Sequence, residues 1–334
     1  MLSLLSQDAR DIIKGYVKAE PNLTLSIGVN VNGQRHILVI DKGKVSNEHS
    51  YLYDLGSITK IYTATLLSKL VCDGTMSLDD SIGKYLPIAE PAATLSDLAT
   101  HFGYNPYLCP AILLTYISAG LGTGINFYNK QTRLGLVKYC NQHKFKTESQ
   151  YSYSDMNYAL IGEAIAVAKN STYQEVMTEF LTKELGLTST GFEASDKRLI
   201  SYNKRCKMGA LKWHSANPFI SAGGLKTNIV DSLTFLEKCM QGKEDYQVLA
   251  QTRRKSYKGV TTTLGIGLGW NMYKSGNYLF HKGASASFRT NYIFDKRKKI
   301  AISILANAKG NINFNSTRLG IAIYKSLKKS VSGE

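Results

Sequence analysis

The sequence contains no run of about 18 apolar residues, so no membrane-spanning helix is expected. Proline is scarce, at 6 residues in 334, and charged residues reach only 20% against 43% apolar. That balance excludes a disordered or collagen-like chain. The five cysteines, Cys72, Cys109, Cys140, Cys206 and Cys239, are odd in number and include no Cys-x-x-Cys pair. They argue against a disulfide framework and a zinc site, and for a reducing compartment. His36, His49, His143 and His214 lack ligand spacing, and neither a metal nor another cofactor is expected. Acidic residues are outnumbered, 25 against 41 Lys and Arg, which leaves a net charge of +16. The basic residues are spread along the whole chain, and neither a zinc-finger spacing nor an RNA-recognition motif occurs. The charge therefore reads as solvated surface, without a nucleic-acid partner. Two clusters stand out, Arg253-Arg254-Lys255 and Lys296-Arg297-Lys298-Lys299. The second lies between apolar runs, where a hairpin turn is expected. Leu2, Leu4 and Leu5 are followed by Gln7, Asp8 and Arg10, too short an apolar stretch for a secretory signal. The expected location is the cytoplasm, with a processed mature form as the alternative.

At roughly 150 residues per domain, the length suggests about two domains. Residues 6–17 read as a helix. Leu25, Ile27, Val29 and Val31 alternate, Asn32-Gly33 supplies a turn, and His36 to Ile40 form a second strand. A short strand near 51–55 leads to Gly56-Ser57 and a helix over 58–72, ended by Asp73-Gly74. Helices follow at 158–169 and 173–185. Short β-like runs fill 265–270, 278–281, 290–294 and 300–306, and a last helix covers 316–328. The simplest assembly joins the first hairpin to the C-terminal strands in one antiparallel sheet. Residues 1–72 plus 212–334 then form a sheet-containing α/β (α+β) domain, and 73–211 an inserted, mainly helical one.

Ser57-Ile58-Thr59-Lys60 is a Ser-x-x-Lys tetrad. The pattern recurs at 81–84, 201–204 and 326–329, so spacing alone is weak. Context separates the first. Ser57 follows Gly56 at a strand end and opens a long apolar helix, which puts Ser57 and Lys60 on one face. The helix dipole lies near the hydroxyl, and a buried amine there either polarises the Ser hydroxyl or, if neutral, takes its proton. A second feature is Tyr151-Ser152-Tyr153-Ser154-Asp155-Met156-Asn157-Tyr158 before an apolar, Gly-containing helix. A third is His281-Lys282-Gly283 on a late strand, leading to Phe288.

This ordered set resembles the serine β-lactamase-like and penicillin-binding-protein-like family, within it the branch of class C β-lactamases, D-peptidases and esterases. Thr94 to His101, Asp79 to Pro87, Ser221 to Leu225 with Asp231, and Gly267 to Trp270 match further family segments. The resemblance covers about residues 20 to 325. It implies an antiparallel sheet flanked by helices, with Ser57 as acylated nucleophile and Lys60 tuning the proton network. Tyr153 would be the general base for acylation, and His281 would replace the Lys of class C β-lactamases. The N–H groups of Ser57 and Ala284 would form an oxyanion hole, worth about 3–4 kcal/mol per donor. Gly283 and Asp155 would border the substrate.

The departures concern substrate. Asp155 stands where many relatives carry Asn, Lys282 where Thr or Ser is common, and Ser287 where Gly usually precedes Phe288. Strand alternation points Lys282 away from His281. The implied activity is hydrolysis of an amide, a D-amino-acid-containing peptide or an ester through a Ser57 acyl-enzyme. Acyl transfer, β-lactam hydrolysis, and a non-catalytic binder on the same fold are the alternatives. The expected partner is a small-molecule or peptide substrate, and the oligomeric state is left open. An unperturbed His281 would give a rise in activity through about pH 6–7. Tyrosines 104, 107, 116, 128, 151 and 158 are candidates for lining a cleft or for half-buried packing.

Overall fold

The computed structural model describes residues 1–103, 114, 126–143, 150–193, 201–202, 207–208, 212–214, 216–259, 262–273, 277–285, 288–308 and 314–332. In chain order, helix α1 (Gln7–Ala19) precedes strands β1 (Thr24–Val31), β2 (Gln34–Asp41), β3 (Lys44–Ser46) and β4 (Tyr53–Asp54). A 3₁₀ turn, Gly56–Ile58, runs into α2 (Thr59–Cys72). Then come α3 (Leu95–Ala99), α4 (Arg133–Gln142), α5 (Asp155–Ala168), α6 (Tyr173–Glu179), β5 (Ser201–Tyr202) and β6 (Lys207–Met208). Next are α7 (Ile220–Gly223), β7 (Lys226–Thr227), α8 (Ile229–Gln241) and α9 (Asp245–Gln251). Strands β8 (Lys255–Lys258), β9 (Thr263–Ile266), β10 (Asn271–Met272), β11 (Tyr278–Ala284), β12 (Arg289–Asp295) and β13 (Ile300–Ala306) follow, and α10 (Ser316–Ser332) is last.

Nine strands form one antiparallel sheet, ordered β3-β2-β1-β13-β12-β11-β10-β9-β8. The first hairpin joins the C-terminal strands as the sequence predicts, Leu25 facing Ala306 and Val31 facing Ile300. The reason is apolar demand on both sides. Every residue of β13 is buried, as are seven of eight in β1, so each face needs a cover. Helices α1 and α10 cover one face, with Ile13, Tyr16, Leu319 and Ile323 against Leu25, Ile302 and Ile304. Helices α8 and α2 belong to the larger core on the other, with Leu233, Phe235, Ile61 and Tyr62 beside Tyr292 and Phe294. The basic run 296–299 makes the β12–β13 turn, where Asp295 Oδ1 accepts the Arg297 and Lys298 N–H groups at 2.9 and 3.0 Å. Cys72, Cys140 and Cys239 are free thiols, while Cys109 and Cys206 lie outside the described residues.

Three expectations shift. The helix expected over 173–185 is α-helical only to Glu179, then widens into a π turn, Phe180–Glu184, that keeps Phe180, Leu181 and Leu185 all in the core. The strand expected over 265–270 ends at Ile266. Gly269 adopts φ +77°, and a Cβ there would stand 2.8 Å from the Tyr158 hydroxyl, so the chain leaves the ladder to seat Trp270 in the core. Ser57 lies in a 3₁₀ turn rather than in the α-helix proper.

Gly56 fixes the meeting of that turn with the sheet. Its φ is +53°, and a Cβ would fall 2.5 Å from the Ala284 carbonyl oxygen. Gly56→Ala is therefore expected to cost about 2–4 kcal/mol, from backbone strain plus overlap. Gly15→Ala, in α1 with open space around it, should instead add about 0.5–1 kcal/mol. Urea midpoints of the two variants read the contrast, and equal midpoints would exclude the close approach.

Candidate active site

The nucleophile candidate is held from three directions. Strands β4 and β7 pair Tyr53 with Thr227 and Asp54 with Lys226, and Leu55 N–H donates to Leu225 O at 2.9 Å. Thr290 Oγ1 donates to Leu55 O at 3.0 Å, and a Cβ on Gly283 would stand 2.0 Å from that same oxygen. The two glycines thus let the Gly56–Ile58 turn press on β11. Ser57 and Ala284 consequently become neighbours at the mouths of two cavities.

Helix α2 carries Lys60 into the core. Eleven of its residues are buried, and Thr63, Thr65 and Ser68 satisfy their hydroxyls on carbonyls one turn back. A lysine in such a helix needs acceptors, because an unpaired buried charge is prohibitive. Lys60 Nζ has three: Ser57 Oγ at 3.2 Å, Ala222 O at 2.9 Å and Asp155 Oδ1 at 2.6 Å. These match the three N–H bonds of an ammonium. Because Ser57 Oγ accepts from Lys60, its own hydrogen is available to a different acceptor. Asp155, first residue of α5, receives the Tyr128 hydroxyl on its other oxygen at 2.7 Å. Thus the residue that departs from the family's Asn is engaged by Lys60 and Tyr128.

Tyr153 packs its ring 5.0 Å from Lys60 Nζ, with its centroid 4.5 Å from the His101 ring and 6.4 Å from the His281 ring. His101 brackets the segment that presents it. Its φ of +61° turns the chain after α3. Its carbonyl accepts Ser152 N–H at 2.9 Å, and its Nδ1 accepts Ser154 N–H at 3.1 Å. Across the sheet edge, Lys255 pairs with Asp97 at 2.5 Å and Tyr257 stacks on Tyr151 at 3.7 Å. This gives one member of the first basic cluster a structural task.

His281 is buried, and its Nδ1–H donates to the Lys282 carbonyl at 2.9 Å, which leaves the lone pair on Nε2. Burial first, then the Lys60 charge, push its pKa down to about 3. This corrects the expectation of a titration near pH 6–7, because the imidazole is neutral throughout that range. His101 is likewise held well below the usual imidazole value, by burial and then by Lys60 and His281. Lys282 is exposed, as alternation requires.

Two cavities share only Ser57 and Ala284. The large one, about 640 Å³, has Tyr153, His281, Gly283, Lys282 and Arg289 among its walls, together with Tyr151 and the start of α10. The small one, about 50 Å³, is bounded by Asp155, Tyr128, Trp213, Phe219 and Ser285. Among the cleft candidates, Tyr151 lines the large cavity and Tyr128 the small one. Tyr158 is buried, donating to Ala99 O at 2.9 Å, and Tyr104, Tyr107, Tyr116 and Ser287 lie outside the described residues. Trp213, Phe219 and Arg289 carry no motif that singles them out in the sequence. Among the described residues, no group of three or more His, Cys, Asp or Glu is placed to hold a metal ion.

A family model described as Beta-lactamase matches residues 9–322. A Beta-lactamase of Providencia stuartii is 25% identical over 91% of this chain and 87% of its own length. Protein flp of Staphylococcus aureus (strain MRSA252) is 23% identical over 89% of this chain, which spans only 61% of that protein. Among solved structures, the octameric penicillin-binding protein homologue from Pyrococcus abyssi superposes with a TM-score of 0.79 at 20% identity, covering 98% of this chain and 77% of that one. The Beta-Lactamase/D-Alanine Carboxypeptidase from Pseudomonas syringae gives 0.77 at 20% identity over 95% and 97%.

The two neutral histidines make stability depend on pH. Their folded pKa values lie below the unfolded value of about 6.5, so the unfolded chain binds more protons in acid. Their contribution is complete above about pH 6.5 and is lost as pH falls, for His281 down to about 3. For His281 the slope should approach about 1.4 kcal/mol per pH unit in that window. Urea unfolding at about pH 7 and pH 5 is expected to show a smaller loss for His281→Asn than for the unaltered protein, by about 2 kcal/mol, and a smaller loss for His101→Asn as well. Identical slopes in all three would contradict the buried neutral state.

Proposed function

The chain belongs to the Beta-lactamase family and carries its serine-hydrolase-type fold, and from that premise we propose that it hydrolyses an ester or amide through an acyl-enzyme on Ser57. The observation that carries the reading is the contact of Ser57 Oγ with the buried Lys60 ammonium, at the junction of the two cavities. Lys60 donates to Ser57 Oγ and stabilises negative charge as it develops there. Ser57 Oγ attacks the substrate carbonyl carbon, and the hydroxyl proton passes to Tyr153, which acts as the phenolate beside the Lys60 ammonium. The carbonyl oxygen is held by the N–H groups of Ser57 and Ala284. When the bond to the leaving group breaks, Tyr153 returns the proton to the departing nitrogen or oxygen. Water then repeats the sequence on the acyl-enzyme and frees Ser57.

His281 orients and does not shuttle. A group with a pKa of about 3 holds only its Nδ1 proton at neutral pH, so Nε2 is left as an acceptor and the ring shapes the wall beside Tyr153. Peptidase and esterase use both fit this arrangement. Arg289 and Lys282 supply positive charge along the large cavity, which suits leaving groups that are polar or anionic.

Incubation with a fluorophosphonate, followed by mass spectrometry of peptides, is expected to place the adduct on Ser57. Ser57→Ala should lose both labelling and turnover of p-nitrophenyl acetate while unfolding at a similar urea concentration. Retention of a substantial share of that activity would refute the nucleophile assignment. The pH–rate profile of the same ester is expected to lack an inflection near about pH 6.5, since no active-site histidine titrates there. An inflection at that pH that disappears in His281→Asn would contradict the neutral, orienting role.

A further inference from the structure

The basic run Lys296-Arg297-Lys298-Lys299 has no part in the candidate site, and the fold shows what lies beside it. Asp295 ties this β12–β13 turn to α10. Its Oδ1 takes two N–H groups of the turn, and its Oδ2 accepts the Tyr324 hydroxyl at 2.6 Å. Lys299 O accepts Asn32 N–H at 3.0 Å, so the β1–β2 turn braces the run from the other side. Lys325, Lys328 and Lys329 follow Tyr324 on α10 and are exposed, as are Arg297 and Lys299. From Asp295 to Lys299 and from Tyr324 to Lys329, seven basic side chains stand against one carboxylate. That carboxylate, Asp295, is buried with both oxygens engaged. Along the neighbouring start of α1, Asp8 and Asp11 balance Arg10 and Lys14.

Gathering like charges on one surface costs free energy through self-repulsion. A helix end explains only part of it. The C-terminus of a helix favours cations within its last turn, whereas Lys325 lies about two turns before Ser332 and the strand turn has no helix end of its own. The concentration suits an anionic partner, and the apolar groups beside it indicate which. Ile321, one helical turn before Lys325 on the same face, is 36% exposed. Leu2 is 42% exposed on the 3₁₀ turn Leu2–Leu4, which lies beside the end of α10 because Ser6 N–H donates to Ser326 Oγ at 3.1 Å. Lipid headgroups neutralise such cations while aliphatic side chains enter the boundary beneath them. A single-stranded nucleic acid calls instead for open aromatic faces. Tyr324 offers none, being packed on Tyr278 with its hydroxyl spent on Asp295.

The sheet sets the orientation. Strand β11 runs from Tyr278, opposite Asp295, to Ala284, opposite Arg289. The basic turn and Ala284 are therefore at opposite ends of these strands, about 20 Å apart at 3.3 Å per residue. Ser316 and Thr317 line the large cavity at the start of α10, and Lys325 to Lys329 lie about 14–20 Å farther along its axis. We propose that this end of the molecule docks on anionic lipid bilayers through Arg297, Lys299, Lys325, Lys328 and Lys329, with the large cavity facing away from the surface. Docking is independent of the chemistry at Ser57.

Sedimentation with vesicles of phosphatidylcholine and phosphatidylglycerol, in about a 3:2 ratio at about 0.1 M salt, reads the binding. The protein is expected on these vesicles and not on phosphatidylcholine alone. Replacing Lys325, Lys328 and Lys329 together by Gln should weaken binding by about a hundredfold. Replacing Lys138, Lys169 and Lys212 by Gln removes the same charge from exposed positions elsewhere, and should change binding by less than about threefold. Arg297→Gln with Lys299→Gln should lose about thirtyfold, a readout that leaves the helix untouched. Acetylation of lysines followed by mass spectrometry should show Lys325, Lys328 and Lys329 protected by the vesicles, with Lys282 still reactive. Absence of binding to the anionic vesicles overturns the inference, as does equal loss in the two triple variants or protection of Lys282 in place of Lys325. Binding to a short DNA duplex without binding to vesicles would also overturn it and assign this end to nucleic acid.

Discussion

A lysine ammonium enclosed by an apolar helix is the constraint around which the centre of this molecule is arranged. Lys60 is fully buried, and leaving its charge uncompensated would cost more than the whole fold's net stability. Three separate segments must therefore deliver oxygen atoms to one point: the turn before α2, the carbonyl of Ala222 in α7, and the first residue of α5. Each delivery has its own support. Thr59 Oγ1 accepts Leu225 N–H at 3.1 Å and Thr63 donates to Ser221 O at 2.7 Å, which lock α2 to the segment holding Ala222. Ser221 in turn donates to Tyr158 O at 2.9 Å, tying that segment to α5. The polar residues inside this core form a connected scaffold whose centre is a charge.

The same charge organises the imidazoles. His101 and His281 both feel Lys60, and both are too buried to take a second positive charge into that volume. A neutral histidine has one donor and one acceptor nitrogen, and the backbone contacts choose between them: Nδ1 accepts at His101 and donates at His281. Opposite tautomers on two sides of Tyr153 follow from local main-chain geometry, with no need for a specific side-chain partner.

What was legible in the sequence was mostly local. Asn32-Gly33 marks the first hairpin, and both residues take positive φ, 51° and 88°. Asp295 ahead of four basic residues reads as a turn and is one. Gly56-Ser57 before an apolar run announces α2. Combining such segments gave the sheet and the order of the motifs. Contacts between distant segments were less accessible. Nothing local pairs Lys60 with Asp155 or gathers Tyr128, Trp213 and Phe219 into one wall. The titration expected of His281 also failed for this reason, since imidazole chemistry is set by what surrounds the ring. Gly267–Gly269 misled differently, because alternating small and apolar residues suit both a strand and an excursion from one.

The sheet order has a consequence for how the chain reaches this state. Strand β1 has its partner on one side in β13, so Leu25 waits for Ala306 to exist. Ser57 likewise leans on β11, whose residues come late in the chain. During synthesis the N-terminal hairpin therefore emerges with one edge open, one apolar face bare and the other covered by α1 alone, and pairing it requires closing a loop of most of the molecule. Such topology folds slowly and leaves a strand edge open to other chains in the interval. A ribosome-bound chain lacking its last third has Ser57 but not β11, so the setting of Ser57 beside Ala284 arrives only with completion of the sheet.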